Sequence, residues 1–157
     1  MSKSSARKPT VISSGYETSI TRTAIAVLLV VLGIAWMAVY INFAQEAAEF
    51  VSFPGAKKPD NPLPWMADLE KWNYLIGFVL IFVGLSVSAH KSTPLGRGRG
   101  VVVGMLGCFL IGLVWIVTFY FVGQNDVVPV MKDLDQYNLL VGIGFMAVGF
   151  TFATKWE

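Results

Sequence analysis

A gapless internal repeat at an offset of 65 residues constrains this chain more than any other feature of its sequence. Nine residues between Pro64 and His90 recur at that offset, and each copy leads into a long apolar run. The matched pairs are Pro64 and Pro129, Met66 and Met131, Asp68 and Asp133, Leu69 and Leu134, Asn73 and Asn138, Leu75 and Leu140, Gly77 and Gly142, Val83 and Val148, and Gly84 and Gly149. The repeat predicts a chain built from two related units.

Four uncharged, mainly apolar stretches accompany the repeat, in a composition of 55% hydrophobic and 14% charged residues. About 20 apolar residues in a helix cross the hydrocarbon core of a bilayer. We therefore predict four transmembrane helices, at Thr23–Gln45, Trp72–Ala89, Gly100–Asn125 and Gln136–Thr154. A cleaved signal peptide is the alternative for the first stretch, but its length and the 22 residues before it favour a permanent span.

The predicted fold is an all-α membrane protein made of two tandem helical hairpins. Because each unit contains two spans, both copies should have the same orientation. Spans one and three share the motif Gly-x-x-Trp, which is Gly33 with Trp36 in span one and Gly112 with Trp115 in span three. These residues are 79 positions apart, whereas the repeated residues of spans two and four are 65 apart. The first loop is therefore 14 residues longer than the third. The predicted organisation is a basic tail at 1–22, a first unit at 23–91, a linker at 92–100 and a second unit at 101–157.

The basic residues are distributed unevenly between the two sides of the predicted membrane. The tail, the middle loop and the C-terminus together carry eight Lys and Arg residues, whereas the other two loops carry four. Cytoplasmic loops are enriched in Lys and Arg, so both termini and the Lys91–Arg99 loop are predicted to be cytoplasmic. Eight of the ten acidic residues fall in the two loops on the opposite side.

A short amphipathic segment precedes each second span. Trp65, Leu69 and Trp72 are spaced as on one helical face, and Val130, Leu134 and Tyr137 repeat the spacing. Aromatic residues suit the boundary between headgroups and hydrocarbon, so short interfacial helices are expected before spans two and four. The segments are interpreted either as plain membrane anchors or as faces that bind a partner.

Small residues and amides recur on one face of spans two and four. Glycines permit close approach of membrane helices, and an amide can form a hydrogen bond between them. These faces either hold the bundle together or dock a helix of another protein. The residues are Asn73, Gly77 and Gly84 in span two and Asn138, Gly142 and Gly149 in span four, with Gly104 and Gly107 in span three.

The sequence contains no recognisable catalytic, metal-binding or phosphate-binding motif. No Asp, Glu, Lys, Arg or His lies in the middle of a span, which disfavours ion-coupled transport. The single Cys108 and single His90 make no metal or haem ligand set, and Gly96-x-Gly98-x-Gly100 lacks the context of a phosphate loop. We therefore expect no enzymatic activity, cofactor, metal, nucleic acid or small-molecule substrate.

The segment from Trp65 to Tyr74, followed by a glycine-bearing span, resembles the CrgA family of actinobacterial cell-division membrane proteins. That family combines a basic tail, a span with Gly-x-x-Trp, an external loop, a Trp-Met...Leu...Trp-Asn-Tyr segment and a second span. The first unit carries the aromatic segment more completely, and the second carries the family-like ending Lys155-Trp156. Members usually have two spans, so this chain resembles a double-length form.

The resemblance implies a non-enzymatic adaptor or regulator of septum formation in the plasma membrane, enriched at the septum. Its implied partners are the tubulin-like FtsZ ring and septal peptidoglycan synthases. The alternatives from other classes are an accessory subunit of another membrane complex, for example a respiratory one, and a small transporter. The implied contact residues are Trp65, Met66, Leu69, Trp72, Asn73 and Tyr74 in the first unit and Met131, Leu134, Tyr137 and Asn138 in the second, with Trp36 and Trp115 as further packing candidates.

Overall fold

In the computed structural model, residues 18–50, 54–123 and 127–155 are described, and all regular secondary structure in them is α-helical. The predicted tail up to residue 17 and Trp156 of the family-like ending lie outside these ranges. The helices are α1 (Ile20–Phe43), α2 (Gln45–Ala48), α3 (Pro64–Asp68), α4 (Trp72–Ser88), α5 (Arg99–Val122), α6 (Pro129–Leu134) and α7 (Tyr137–Ala153).

The four long helices coincide closely with the predicted apolar stretches. Helices α1 and α5, each of 24 residues, are long and apolar enough to cross a membrane. Helices α4 and α7 contain no Asp, Glu, Lys or Arg and have 17 residues each. At ~1.5 Å per residue, 17 residues span about 25 Å, the lower end of the range for a membrane helix.

The long helices pack as two pairs, α1 on α4 and α5 on α7, and the pairs meet through α4 and α7. In both pairs a glycine of one helix faces a glycine of the other. A Cβ atom placed on Gly33 would lie 2.5 Å from the carbonyl oxygen of Gly77, and one on Gly112 would lie 2.6 Å from that of Gly142. The repeated glycines therefore allow the two backbones of each pair to touch, because a side chain at these positions would separate them.

A second glycine contact lies two turns further along each pair. A Cβ on Gly84 would lie 2.9 Å from the carbonyl oxygen of Ala26, and one on Gly149 would lie 3.3 Å from that of Met105. Ala26 and Met105 are related by the same offset of 79 that relates Gly33 and Gly112. The two helix pairs therefore share one packing register.

Aromatic rings fill the junction between the two helix pairs. The ring of Phe78 meets Trp115 edge-on with centroids 5.5 Å apart, and Phe82 meets Phe145 in the same way at 5.1 Å. Phe82 also covers Gly144, where an added Cβ would lie 2.6 Å from the ring. Edge-to-face contacts at these distances are favourable beyond the area that they bury.

The short helices α3 and α6 stand directly before α4 and α7, as the repeat predicts. Each begins at a proline, Pro64 or Pro129, which suits the first helical position because the missing N–H has no acceptor there. Each is separated from the following helix by an acidic residue with positive φ, Glu70 at 45° and Asp135 at 43°. These turns end the short helices and redirect the chain into the long ones.

Candidate functional site: the groove between the helix pairs

An open groove of about 510 Å³ lies between α4 and α7, near the ends at which these helices begin. Its wall is mainly apolar, and Glu70 and Lys71 stand at one end of it. Both repeats contribute, so a single unit would form only one side. The lining residues are Trp72, Leu75, Phe78, Val79 and Phe82 from the first repeat and Leu134, Tyr137, Leu140 and Val141 from the second. We call this the α4/α7 groove.

Two exposed aromatic side chains flank the α4/α7 groove at equivalent repeat positions. Trp72 is 65% exposed and Tyr137 is 63% exposed, and each is the first residue of its long helix. Leu75 and Leu140, the next equivalent pair, are also largely exposed. The groove therefore offers large apolar side chains that no described part of the chain covers.

The other candidate contact residues lie mostly inside the molecule. Trp65 is exposed, and its ring packs on Trp36 with centroids 5.6 Å apart. Trp36, Trp115 and Leu69 are partly buried. The buried candidates are Met66, Asn73, Tyr74, Gly77, Gly84, Met131, Leu134, Asn138, Gly142 and Gly149.

The predicted single face of Trp65, Leu69 and Trp72 is wrong. Helix α3 ends at Asp68, and α4 begins only at Trp72. The intervening turn includes Glu70 with positive φ, so the spacing of four and seven residues does not follow one helix axis. As a result Trp65 packs toward α1, whereas Trp72 flanks the α4/α7 groove.

The two repeated asparagines connect each long helix to the short helix before it. The Nδ2 atom of Asn73 donates to the carbonyl oxygens of Met66 at 2.7 Å and Glu70 at 2.9 Å. Asn138 donates in the same way to Met131 at 2.6 Å and Asp135 at 2.8 Å. Both amides therefore satisfy carbonyl groups of the preceding helix and turn, and these bonds do not run between the long helices.

A polar cluster centred on the buried side chains of Asp133 and Tyr74 joins the second repeat to the first. The Oδ2 atom of Asp133 accepts hydrogen bonds from the hydroxyl of Tyr74 at 2.7 Å and from Nε2 of Gln45 at 3.0 Å. Gln45 also donates to Oε1 of Glu49 at 3.0 Å, and the ring of Tyr40 meets Tyr74 edge-on. Asp133 is only 8% exposed and Tyr74 is fully buried. Helix α6 is thus held against α2 and α4 of the other unit.

The two carboxyl groups of this cluster have opposite pKa shifts. Burial raises the pKa of Asp133 above 3.8, and Glu49 raises it further through a hydrogen bond and its charge. Burial also acts on Glu49, but hydrogen bonds with Gln45 and Asp133 outweigh it and lower the pKa of Glu49 below 4.5. The pair therefore retains one proton more readily than two separate carboxyl groups would.

Sequence reasoning did not identify this cluster. Asp133 looked equivalent to Asp68, its exposed counterpart in the first repeat. The distinguishing signal is that the residue equivalent to Tyr74 is Leu139, so the two units cannot make the same hydrogen bond. Within the described ranges, no three His, Cys, Asp or Glu residues are grouped as metal ligands would be.

Comparison with known proteins gives one consistent family. The family model described as "Cell division protein CrgA" matches residues 1–92 and, a second time, residues 89–157. No solved structure matches the chain.

Individual relatives carry the same name. The cell division protein CrgA of Streptomyces avermitilis is 44% identical over 63 residues, which are 40% of this chain and 71% of the relative. That of Corynebacterium aurimucosum is 32% identical over 77 residues, covering 46% and 82%. That of Mycobacterium sp. (strain KMS) is 35% identical over 79 residues, covering 50% and 73%.

These relatives are shorter than the present chain, since the matched residues are a larger share of each relative than of this protein. The resemblance seen in the aromatic segment is confirmed. The chain belongs to the CrgA family of cell division proteins, in a tandem form that contains the family sequence twice.

Proposed function

We propose that this protein is a four-span membrane adaptor of cell division, and that its α4/α7 groove receives a transmembrane helix of a partner protein. The observation that carries the proposal is the pair of exposed aromatics, Trp72 and Tyr137, at equivalent positions beside an apolar groove to which both repeats contribute. Exposed aromatics beside an apolar pocket are typical of the residues that contribute most to binding.

The membrane arrangement follows from charge and packing. The common register of the two helix pairs supports two hairpins in one orientation, with units at 23–91 and 101–157 joined by a cytoplasmic linker at 92–100. The large apolar side chains exposed along α1 and α5, such as Leu28, Val31, Leu110 and Phe121, suit contact with lipid. Both termini are cytoplasmic in this arrangement, and α3 and α6 lie at the outer surface.

The partner class follows from family membership. The relatives are named for cell division, so the partner helix belongs to the division machinery. Septal wall-synthesis proteins and the FtsZ ring, the partners implied by the sequence resemblance, are the first ones to test. Contact with FtsZ requires a cytoplasmic segment, whereas the α4/α7 groove serves a partner within the membrane.

The orientation is tested by labelling single cysteines in intact cells. Cys108→Ala removes the only cysteine of the chain, and Asp60→Cys or Leu95→Cys then adds one at an exposed loop position. A membrane-impermeant maleimide is expected to label Asp60→Cys from outside and Leu95→Cys only after permeabilisation. The reverse pattern would contradict the proposed orientation.

The adaptor role is tested by imaging a fluorescent fusion of the full chain in dividing cells. The wild-type fusion should concentrate at the septum. Because truncation of an aromatic residue that anchors an interface costs about 2 kcal/mol or more, the double variant Trp72→Ala with Tyr137→Ala should lose most of this enrichment while still inserting.

Tyr120→Ala is the matched control, because Tyr120 is 63% exposed but lies on α5, away from the groove. It should leave septal enrichment unchanged. A uniform membrane signal from the wild-type fusion would reject the division role and favour an accessory subunit of another complex. Septal enrichment that survives in the double variant would reject the groove as the docking site.

A further inference from the structure

One end of the helix bundle is strongly basic. At this end α1 and α5 begin, and α4 and α7 finish. It carries Arg22, Lys91, Arg97, Arg99 and Lys155, and the described residues 18–22, 88–100 and 153–155 include no Asp or Glu. The first turns of α1 and α5 add the partial positive charge of helix N-termini. The basic end therefore attracts anions.

A second groove, of about 600 Å³, opens at this end between α1 and α4. Arg22 and His90 stand at its mouth. Along its length the surface is almost entirely apolar, apart from Ser86. The remaining lining residues are Ile25 on α1 and Phe82, Val83 and Val87 on α4. We call this the α1/α4 groove.

The two polar groups at the mouth lie close together. Nη1 of Arg22 is 2.8 Å from both ring nitrogens of His90 and donates to the hydroxyl of Ser92 at 3.1 Å. In the part of the chain that the structure describes, these contacts include no carboxylate for Arg22. An arginine retains its charge and presents paired donors that match the oxygens of a phosphate group.

We propose that the α1/α4 groove binds one phospholipid with an anionic headgroup, such as phosphatidylglycerol. The lipid phosphate accepts hydrogen bonds from the guanidinium of Arg22, and one acyl chain lies along Ile25, Val83 and Val87. The inference rests on the position of the Arg22 guanidinium beside an apolar groove. The basic surroundings select an anionic lipid over a zwitterionic one.

The site belongs to the first repeat alone. The position equivalent to Arg22 is Val101, which is 3% exposed, and the position equivalent to His90 is Lys155. The second unit therefore lacks an arginine at the position equivalent to Arg22. The tandem chain thus carries one such lipid site rather than two.

Native mass spectrometry of the purified full-length chain in detergent tests the proposal. Phosphatidylglycerol and phosphatidylcholine are titrated separately, and inorganic phosphate is added as a competitor. The wild-type chain should retain one phosphatidylglycerol in preference to phosphatidylcholine. Since a hydrogen bond to a charged group contributes about 1.5–3 kcal/mol, Arg22→Gln should weaken this binding about tenfold or more.

Lys155→Gln is the matched control, since it removes one positive charge from the same end at the position equivalent to His90. It should leave phosphatidylglycerol binding within about twofold, because a single exposed charge contributes little. Equal retention of both lipids, equal retention by Arg22→Gln, or full displacement by inorganic phosphate would each overturn the proposal. None of these outcomes depends on septal enrichment, so the lipid site and the adaptor role fail separately.

Discussion

Replacing Gly112 by leucine is expected to separate α5 from α7 and to destabilise the folded chain by about 3 kcal/mol. The reason is that a Cβ at Gly112 would lie 2.6 Å from the carbonyl oxygen of Gly142, and a backbone atom cannot move aside as a flexible side chain can. Gly33→Leu should act similarly on the first helix pair, where the corresponding distance is 2.5 Å. Thermal unfolding in detergent, followed by size-exclusion chromatography, measures the loss.

Gly107→Leu is the control on the same helix. An added Cβ at Gly107 has no atom within 4 Å, although the sequence suggested that Gly104 and Gly107 together form a packing notch. Leucine also favours the helix more than glycine does. The Gly107 variant should be as stable as the wild type or slightly more so. Equal stability of the Gly107 and Gly112 variants would show that the glycine contacts do not hold α5 on α7.

Replacing Asp133 by leucine is expected to cost about 2 kcal/mol, because it leaves the buried hydroxyl of Tyr74 without its acceptor and removes one of the two acceptors of the Gln45 amide. Asp133→Asn should cost much less, since an amide oxygen can still accept from Tyr74 and the amide nitrogen can donate toward Glu49. Both variants are compared with the wild type by thermal unfolding in detergent. Asp68→Leu, at the exposed equivalent position, should change the stability little.

The same cluster predicts a pH dependence of stability. The folded pKa of Asp133 lies above its unfolded value, so its contribution is full at low pH and is lost as the pH rises through the folded pKa. Glu49 acts oppositely, but its contribution changes only below 4.5, where its lowered pKa lies. Compared with Asp133→Asn, which retains Glu49, the wild type should therefore lose stability as the pH rises from below 3.8 and Asp133 ionises.

Unfolding midpoints of the wild type and Asp133→Asn, measured over a pH series that starts below 3.8, check this sign. Tyr74→Phe is an informative companion, because it removes one donor to Asp133 without removing the carboxyl group. Parallel pH profiles for the wild type and Asp133→Asn would contradict a raised pKa at Asp133. Equal stability of Asp133→Leu and the wild type would show that the cluster does not join the two units.

The helices and the short segments before α4 and α7 could be predicted because their signals are local. An uncharged apolar run excludes water along its whole length, and Pro64 and Pro129 mark helix starts by their fixed backbone geometry. The shared Gly-x-x-Trp motif also identifies Gly33 and Gly112 as equivalent residues from the sequence alone. Each of them faces the carbonyl group of a glycine on the paired helix, because both units have glycines at the equivalent positions of both helices.

The interaction surface was less accessible to sequence reasoning. The spacing of Trp65, Leu69 and Trp72 assumed one continuous helix, and the turn at Glu70 breaks it. Periodicity predicts a face only while the φ and ψ angles remain helical. The hydrogen bonds of Asn73 to the preceding helix and turn could not be predicted either. A side-chain amide finds acceptors both in its own chain segment and on neighbouring helices, and the sequence does not distinguish between them.

By itself, the sequence determined that this protein is a tandem member of the CrgA family, with apolar helices and a basic and an acidic set of loops. These properties depend on residue types and on their order along the chain. Only the tertiary structure decided which equivalent residues have different surroundings. Asp133 is buried beside Tyr74 while Asp68 is exposed, and Trp115 meets Phe78 while Trp36 meets Trp65. The physical reason is that α4 of the first unit packs on α7 of the second. Equivalent residues of the two units therefore have different neighbours.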